Sequence, residues 1–206
     1  MQTRNLIKCF LLFSLLIFIK FNGVTFTGST GEDVTTASDF YNPTIGEIFQ
    51  GGKVFYILQS GDPGYDVTTP HGLIAANWDQ STRIWWYNGN DSITRATQTK
   101  IGTGLSNSNM VIITSQVGTP ITDYAAGLAR AYNGGGYTDW YLPSKEELNK
   151  LFLNKDAIGG FEYNIYWSST EDELKYEYAW YQSFSNGLQQ SDNKIFPAYV
   201  RAIRAF

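Results

Sequence analysis

The sequence predicts an α+β domain with a mainly antiparallel sheet, two helices and long loops. Two observations carry that prediction. Seven strand-sized runs rich in Val, Ile, Tyr, Trp or Phe alternate with turn signals from Ile45 onward. Two segments place apolar residues at helical spacing, and they precede a run of strands instead of alternating with them, which argues against a doubly wound parallel sheet.

The chain divides into three parts. Residues 1–27 carry Arg4 and Lys8 ahead of the apolar run Phe10 to Ile19, too short to span a bilayer comfortably, and read as a secretory signal peptide. Residues 28–44, "GSTGEDVTTASDFYNPT", are small, polar and acidic without periodicity and read as a flexible lead-in. Residues 45–206 are the folded domain. The expected location follows: exported, and extracellular, periplasmic or on the cell surface, with no membrane span in the mature form. Cys9 is the only cysteine, so the mature chain has neither a disulfide framework nor thiol chemistry. Removal of Arg4, Lys8 and Lys20 leaves 12 Lys plus Arg against 19 Asp plus Glu and takes the net charge from -4 to about -7. That balance excludes nucleic acid as a partner and disfavours sulfate polymers.

The predicted strands are "KVFYIL" (53–58), "GLIAA" (72–76), "RIWWY" (83–87), "VIIT" (111–114), "YWSST" (166–170), "AWYQSF" (179–184) and "YVRAIRAF" (199–206). In the first predicted helix, "ITDYAAGLARAY", Ile121, Tyr124, Ala125, Leu128 and Tyr132 share one face and the glycines at 134–136 stop it. The second starts at Ser144. Glu147, three residues on, reaches back to the Ser144 amide, while Leu148, Leu151 and Phe152 form an apolar stripe. Trp140, Pro143, Ser144, Glu147 and Trp167 are read as structural motif residues: the glycines turn the chain, Trp140 and Tyr141 enter the core, and Pro143 sits just outside the helix.

"GGKVFYI", "HGLIAA", "IGTGLSNSN", "YAAGLARAYNGGGYTDWYLPSKEELNKLF", "YWSSTE", "AWYQSFSNG" and "VRAIRAF" occur in this order. Together they resemble the Lcl C-terminal domain family, named after the collagen-like adhesin of Legionella. The resemblance covers about residues 45–206. It implies a fold similar to C-type lectins and the formylglycine-generating enzymes, with the first and last strands brought together and long loops at one end. It also implies extracellular binding, with adhesion to sulfated glycans the best-known case. The chain has no Gly-X-Y collagen period, and a mature chain without cysteine cannot run formylglycine chemistry.

No catalytic residue is assigned. His71 is the only histidine and lacks partners for a metal site, and no nucleophile elbow surrounds Ser168 or Ser169. Glu171, Asp172, Glu173 and Glu177 read as a solvated acidic turn. No cofactor is expected; calcium is the one alternative, through oxygens of Asp62, Asp66, Asn88, Asn90 and Asp91 in Gly-rich loops, although none matches an EF-hand or a lectin calcium signature. The most informative stretch is "NWDQSTRIWWYNGND", 77–91. In a strand, Trp85 and Trp86 point to opposite faces. Aromatics beside polar side chains suit a neutral sugar, so the ligand-binding candidates are Trp85, Trp86, Tyr87, Asn77, Asp79, Asn88 and Asn90. The expected function is a secreted or cell-surface, non-catalytic binding module for a glycan or surface polymer, serving adhesion. Its partners would be a glycan or surface protein. A structural or protein-interaction module is the alternative, and a carboxylate-dependent hydrolase a lesser one.

Overall fold

The computed structural model describes residues 41–89, 92–115 and 120–206. The expected signal segment and residues 28–40 of the lead-in lie outside the described residues, as do Asn90 and Asp91. Residues 41–44 are tied to Glu47 and Phe49. The Thr44 amide donates to Glu47 at 2.8 Å, the Tyr41 hydroxyl also bonds Glu47, and the Tyr41 ring lies 5.3 Å from Phe49.

Two sheets form. The first is antiparallel and holds β1 (Ile48–Phe49), β2 (Gly52–Ile57), β3 (Gly72–Ala75) and β9 (Ile203–Ala205), in that order. The second runs β4 (Ser81–Ile84), β8 (Ala198–Val200), β5 (Ile165–Glu171), β6 (Tyr178–Ser183) and β7 (Gln189–Asn193). Every pairing in it is antiparallel except β5 with β8, joined at Tyr166 and Tyr199. Four α-helices accompany them among the described residues: α1 (Gly104–Ser115), α2 (Ala125–Ala131), α3 (Lys145–Leu153) and α4 (Lys155–Ile158). The fold is therefore α+β.

Successive strand residues feed two different cores, because side chains alternate across a pleated strand. Val54, Ile74, Trp140 and Trp167 enter one; their neighbours Phe55, Leu73, Tyr141 and Tyr166 enter the other. Both faces of these strands are thus covered, and their sequences read as apolar runs. Each of the three fully buried tryptophans gives its indole N–H to a main-chain carbonyl: Trp86 to Ser168 at 2.7 Å, Trp140 to Gly134 at 3.2 Å and Trp167 to Ile84 at 3.1 Å.

Several expectations need correction. "VIIT" is the end of α1, not a strand, and the helices number four, not two. Residues buried in α1 are Gly104, Asn107, Ser108 and Val111, one helical face in which polar side chains do the packing. The Ser108 hydroxyl bridges the Leu142 carbonyl (3.2 Å) and amide (3.1 Å). "RIWWY" leaves the strand early: β4 ends at Ile84, so Trp85 to Tyr87 lie beyond it. "ITDYAAGLARAY" breaks into a 3-10 turn, Ile121–Asp123, and α2, separated by an extended Tyr124; Ile121 is exposed.

The glycines before Trp140 have a packing reason as well as a turning one. Gly51, at φ 90°, and Gly135, at φ 65°, meet backbone to backbone, and a Cβ on either would collide with the other loop. Downstream, the capping box of α3 is present. The Ser144 amide donates to Glu147 at 2.8 Å and the Glu147 amide to the Ser144 hydroxyl oxygen at 3.3 Å. Glu147 also accepts from the Gly102 amide at 2.8 Å, just ahead of α1, so one buried carboxylate ties the starts of two helices. Burial pushes its carboxyl up to about 7, against those N–H donors.

Candidate functional site

The loop joining β3 to β4 carries the most exposed tryptophan. Trp78 is 59% exposed, with its ring edge-on to Tyr132 at 6.4 Å; Tyr132 in turn lies edge-on to buried Trp140 at 5.0 Å. An aromatic column therefore runs from the core to the surface. Gln80 braces the loop, giving its amide N–H to the Trp78 carbonyl at 2.7 Å and accepting from the Ala202 amide. A groove of about 310 Å³ opens here, lined by Trp78, Asp79, Gln80, Thr122, Leu128, Ala131, Tyr132 and Asn133. A second, of about 250 Å³, is lined by Arg83, Ile84, Trp85, Asp123 and Pro197. The 3-10 turn contributes Thr122 to the first and Asp123 to the second.

Of the adjacent tryptophans, Trp85 is 49% exposed and Trp86 fully buried. Trp85 is held by its backbone, whose carbonyl accepts from Ala125 at 3.0 Å, and its ring lies 6.4 Å from half-buried Tyr87. Asn88 is half-buried and Asn77 exposed, while Asn90 is outside the described residues. One candidate leaves the contact set and another is engaged within the fold. Trp86 is sealed by packing and its bond to Ser168. Asp79 lines the Trp78 groove with its carboxylate engaged, accepting from Arg201 Nε at 2.6 Å and the Tyr166 hydroxyl at 2.9 Å. Burial pushes its carboxyl upward, with Arg201 opposing the shift.

The stretch after Tyr87 is anchored from below. Glu171, expected in a solvated turn, is instead buried and paired with buried Lys194 at 2.7 Å. It also accepts from the Thr94 amide (2.8 Å), the Thr94 hydroxyl (2.9 Å) and the Arg95 amide (3.0 Å). Lys194 adds a bond to the Ser92 carbonyl at 3.2 Å and lies over the Trp86 ring.

The other chemistry candidates are committed to the fold. Ser168 and Ser169 hydroxyls donate to the Trp180 and Pro143 carbonyls, and His71 Nδ1 faces the Phe206 carbonyl at 3.1 Å. The carboxylates Asp79, Glu147 and Glu171 sit in three separate networks. Asp62 accepts from Tyr56 and the Gln59 amide, and Asp66 from Thr68 and Thr69 in its own loop; those bonds hold the Asp66 carboxyl below its ordinary value. No three His, Cys, Asp or Glu side chains gather as a metal-binding group among the described residues.

Residues 76–204, from the end of β3 into β9, match the Lcl C-terminal domain. The chain belongs to the Lcl C-terminal domain family. Comparison with curated proteins finds no match. The family match contains both grooves, α1 to α4 and the whole second sheet, whereas "GGKVFYI" and most of "HGLIAA" precede it. No helix among the described residues is long and apolar enough to cross a membrane.

Sequence reasoning missed Trp78 and Tyr132 as a surface pair, because 54 residues separate them in the chain. It also missed the inward cations Lys194, Arg201 and Arg204. Arg204 lies over the Tyr137 ring and forks onto Asp139 at 2.7 and 2.9 Å. That removes Asp139 from the free groups near the Trp140 loop.

Proposed function

We propose that this Lcl C-terminal domain is a non-catalytic, adhesin-type binding module that works outside the cell and grips a glycan on the face formed by Trp78 and Trp85. One observation carries the reading: two half-exposed indoles on braced loops flank the same 3-10 turn, next to side-chain amides. Stacking on an indole gives a sugar ring its apolar contact, and amides meet its hydroxyls. The braced loops lower the ordering cost of binding. The commitment of Asp79, Glu147 and Glu171 to structural partners disfavours the hydrolase alternative, which needs two free carboxylates across a cleft.

The test is a glycan array probed with wild-type protein and with the Trp78→Ala and Trp85→Ala variants. Spots that bind wild type and lose both variants support the reading; binding indifferent to both substitutions removes it. A protein-interaction role draws on a different observation, a cavity of about 390 Å³ lined by Leu58, Ile101, Leu105, Tyr141 and Phe206 with no Lys, Arg, Asp or Glu in its wall.

A further inference from the structure

We infer that the ligand of the Trp78–Trp85 face is an uncharged oligosaccharide strand spanning both grooves, not a single sugar and not a sulfated or uronate-rich chain. This rests on the glycan reading above and names its ligand class.

The length argument comes from the two platforms. Trp78 and Trp85 line two different grooves, with β4 between them in the chain and the 3-10 turn giving Thr122 to one groove and Asp123 to the other. One ring cannot stack on both. A strand lying along β4 and past the 3-10 turn can, and two weak stacking contacts on one molecule reinforce each other through effective concentration.

The charge argument covers the face and then the whole domain. No Lys or Arg lines the Trp78 groove, whose one carboxylate, Asp79, is paired with Arg201, and the Trp85 groove holds one charge of each sign, Arg83 and Asp123. Elsewhere several cations face inward, while exposed Arg95, Lys100 and Lys175 line neither groove. Lys194, Arg201 and Arg204 pair with Glu171, Asp79 and Asp139, while Lys53 and Arg130 donate to the carbonyls of Ile158 and Trp140, both at 2.7 Å. An anionic polymer binds by having its charges neutralised in series, and this face offers no series of cations. What it offers are neutral donors and acceptors. The side-chain amide of Asn133, in the Trp78 groove, makes no hydrogen bond among the described residues, so it can serve the hydroxyls of an uncharged ring.

The experiment is calorimetric titration of the full protein with uncharged gluco-, manno- and chito-oligosaccharides of increasing length, and with heparin and alginate as anionic probes, at low and high salt. The expected result is affinity that rises with chain length in one uncharged series, changes little with salt, and falls at least tenfold in Trp78→Ala and in Trp85→Ala. Trp78→Phe, which keeps a platform, should recover part of the loss, and urea midpoints of each variant verify folding. If heparin binds best, weakens with salt and still needs both tryptophans, the ligand class is wrong while the glycan face stands. A monosaccharide binding as tightly as the longest oligomer overturns the spanning argument in the same way. If no sugar binds, or no binding senses either tryptophan, the face and the inference fall together.

Discussion

Replacing Lys194 by Met isolates a charge. The Met side chain keeps most of the packing volume over Trp86, so what disappears is the ammonium group between Glu171 and the Ser92 carbonyl. Removing one partner of a buried ion pair costs about 3–5 kcal/mol, because the other charge is left uncompensated. Glu171 keeps three donors from Thr94 and Arg95, which places the expected loss at the low end, about 3 kcal/mol. With a urea slope of about 2 kcal/mol per molar, the midpoint should fall by about 1.5 M. Adding Glu171→Gln removes the stranded charge and keeps one oxygen for the Thr94 amide and hydroxyl, at the loss of the acceptor for the Arg95 amide, so the double variant should unfold at higher urea than Lys194→Met alone. The assay is equilibrium urea unfolding followed by tryptophan fluorescence, with the slope checked for constancy. A loss under about 1 kcal/mol, the range of an exposed pair, would refute the reasoning. So would a double variant no more stable than the single one.

Three further outcomes are expected. Ser144→Ala should cost about 1–2 kcal/mol in urea unfolding, since its hydroxyl both caps α3 and donates to the Lys100 carbonyl at 2.9 Å; an unchanged midpoint removes the cap from the stability of the fold. Glu147 binds its proton more tightly folded than unfolded, its carboxyl rising from 4.5 to about 7. Its stabilising contribution is therefore full below about pH 4.5 and lost as pH rises towards 7, a change of about 3 kcal/mol, and Glu147→Gln should flatten that slope; equal slopes in both proteins would contradict it. Trp86→Ala should destabilise by about 3–5 kcal/mol while Trp85→Ala stays within about 1 kcal/mol, and circular-dichroism melts of the two variants would separate core from surface.

The strands were legible where both local signals agreed. In β2, β3, β5 and β6, β-branched and aromatic residues sit between turn residues, and the two-sided burial reinforces the same reading. The capping box was legible because Ser144 and Glu147 are neighbours in sequence. Helix α1 was not, since its inward face is written as Gly104, Asn107, Ser108 and Val111. A hydrophobicity period cannot see a face that buries an amide and a hydroxyl against main-chain partners. Trp85 is exposed and Trp86 buried, as alternation suggested, although both lie beyond β4 and not in a strand, and Trp78 and Tyr132 meet only through the tertiary fold. Long-range ion pairing was equally silent: nothing near Asp79 in sequence announces Arg201, and Glu171 looked like one more acid in an acidic turn.

Strands β8 and β9 and the three inward cations all belong to residues 194–206. Synthesis delivers them after everything they fasten. Until they emerge, β4 has no neighbour linking it to β5, β3 lacks its outer partner, and Glu171, Asp79 and Asp139 have no counter-charge. The nascent chain thus holds two unfinished sheets and cannot close either early. Contacts spanning more than a hundred residues, such as β3 with β9, form late and slowly. What waits on residues 194–206 is the joining of β4 to β5 and the closing of β3, while β1–β2–β3 and β5–β6–β7 can already pair.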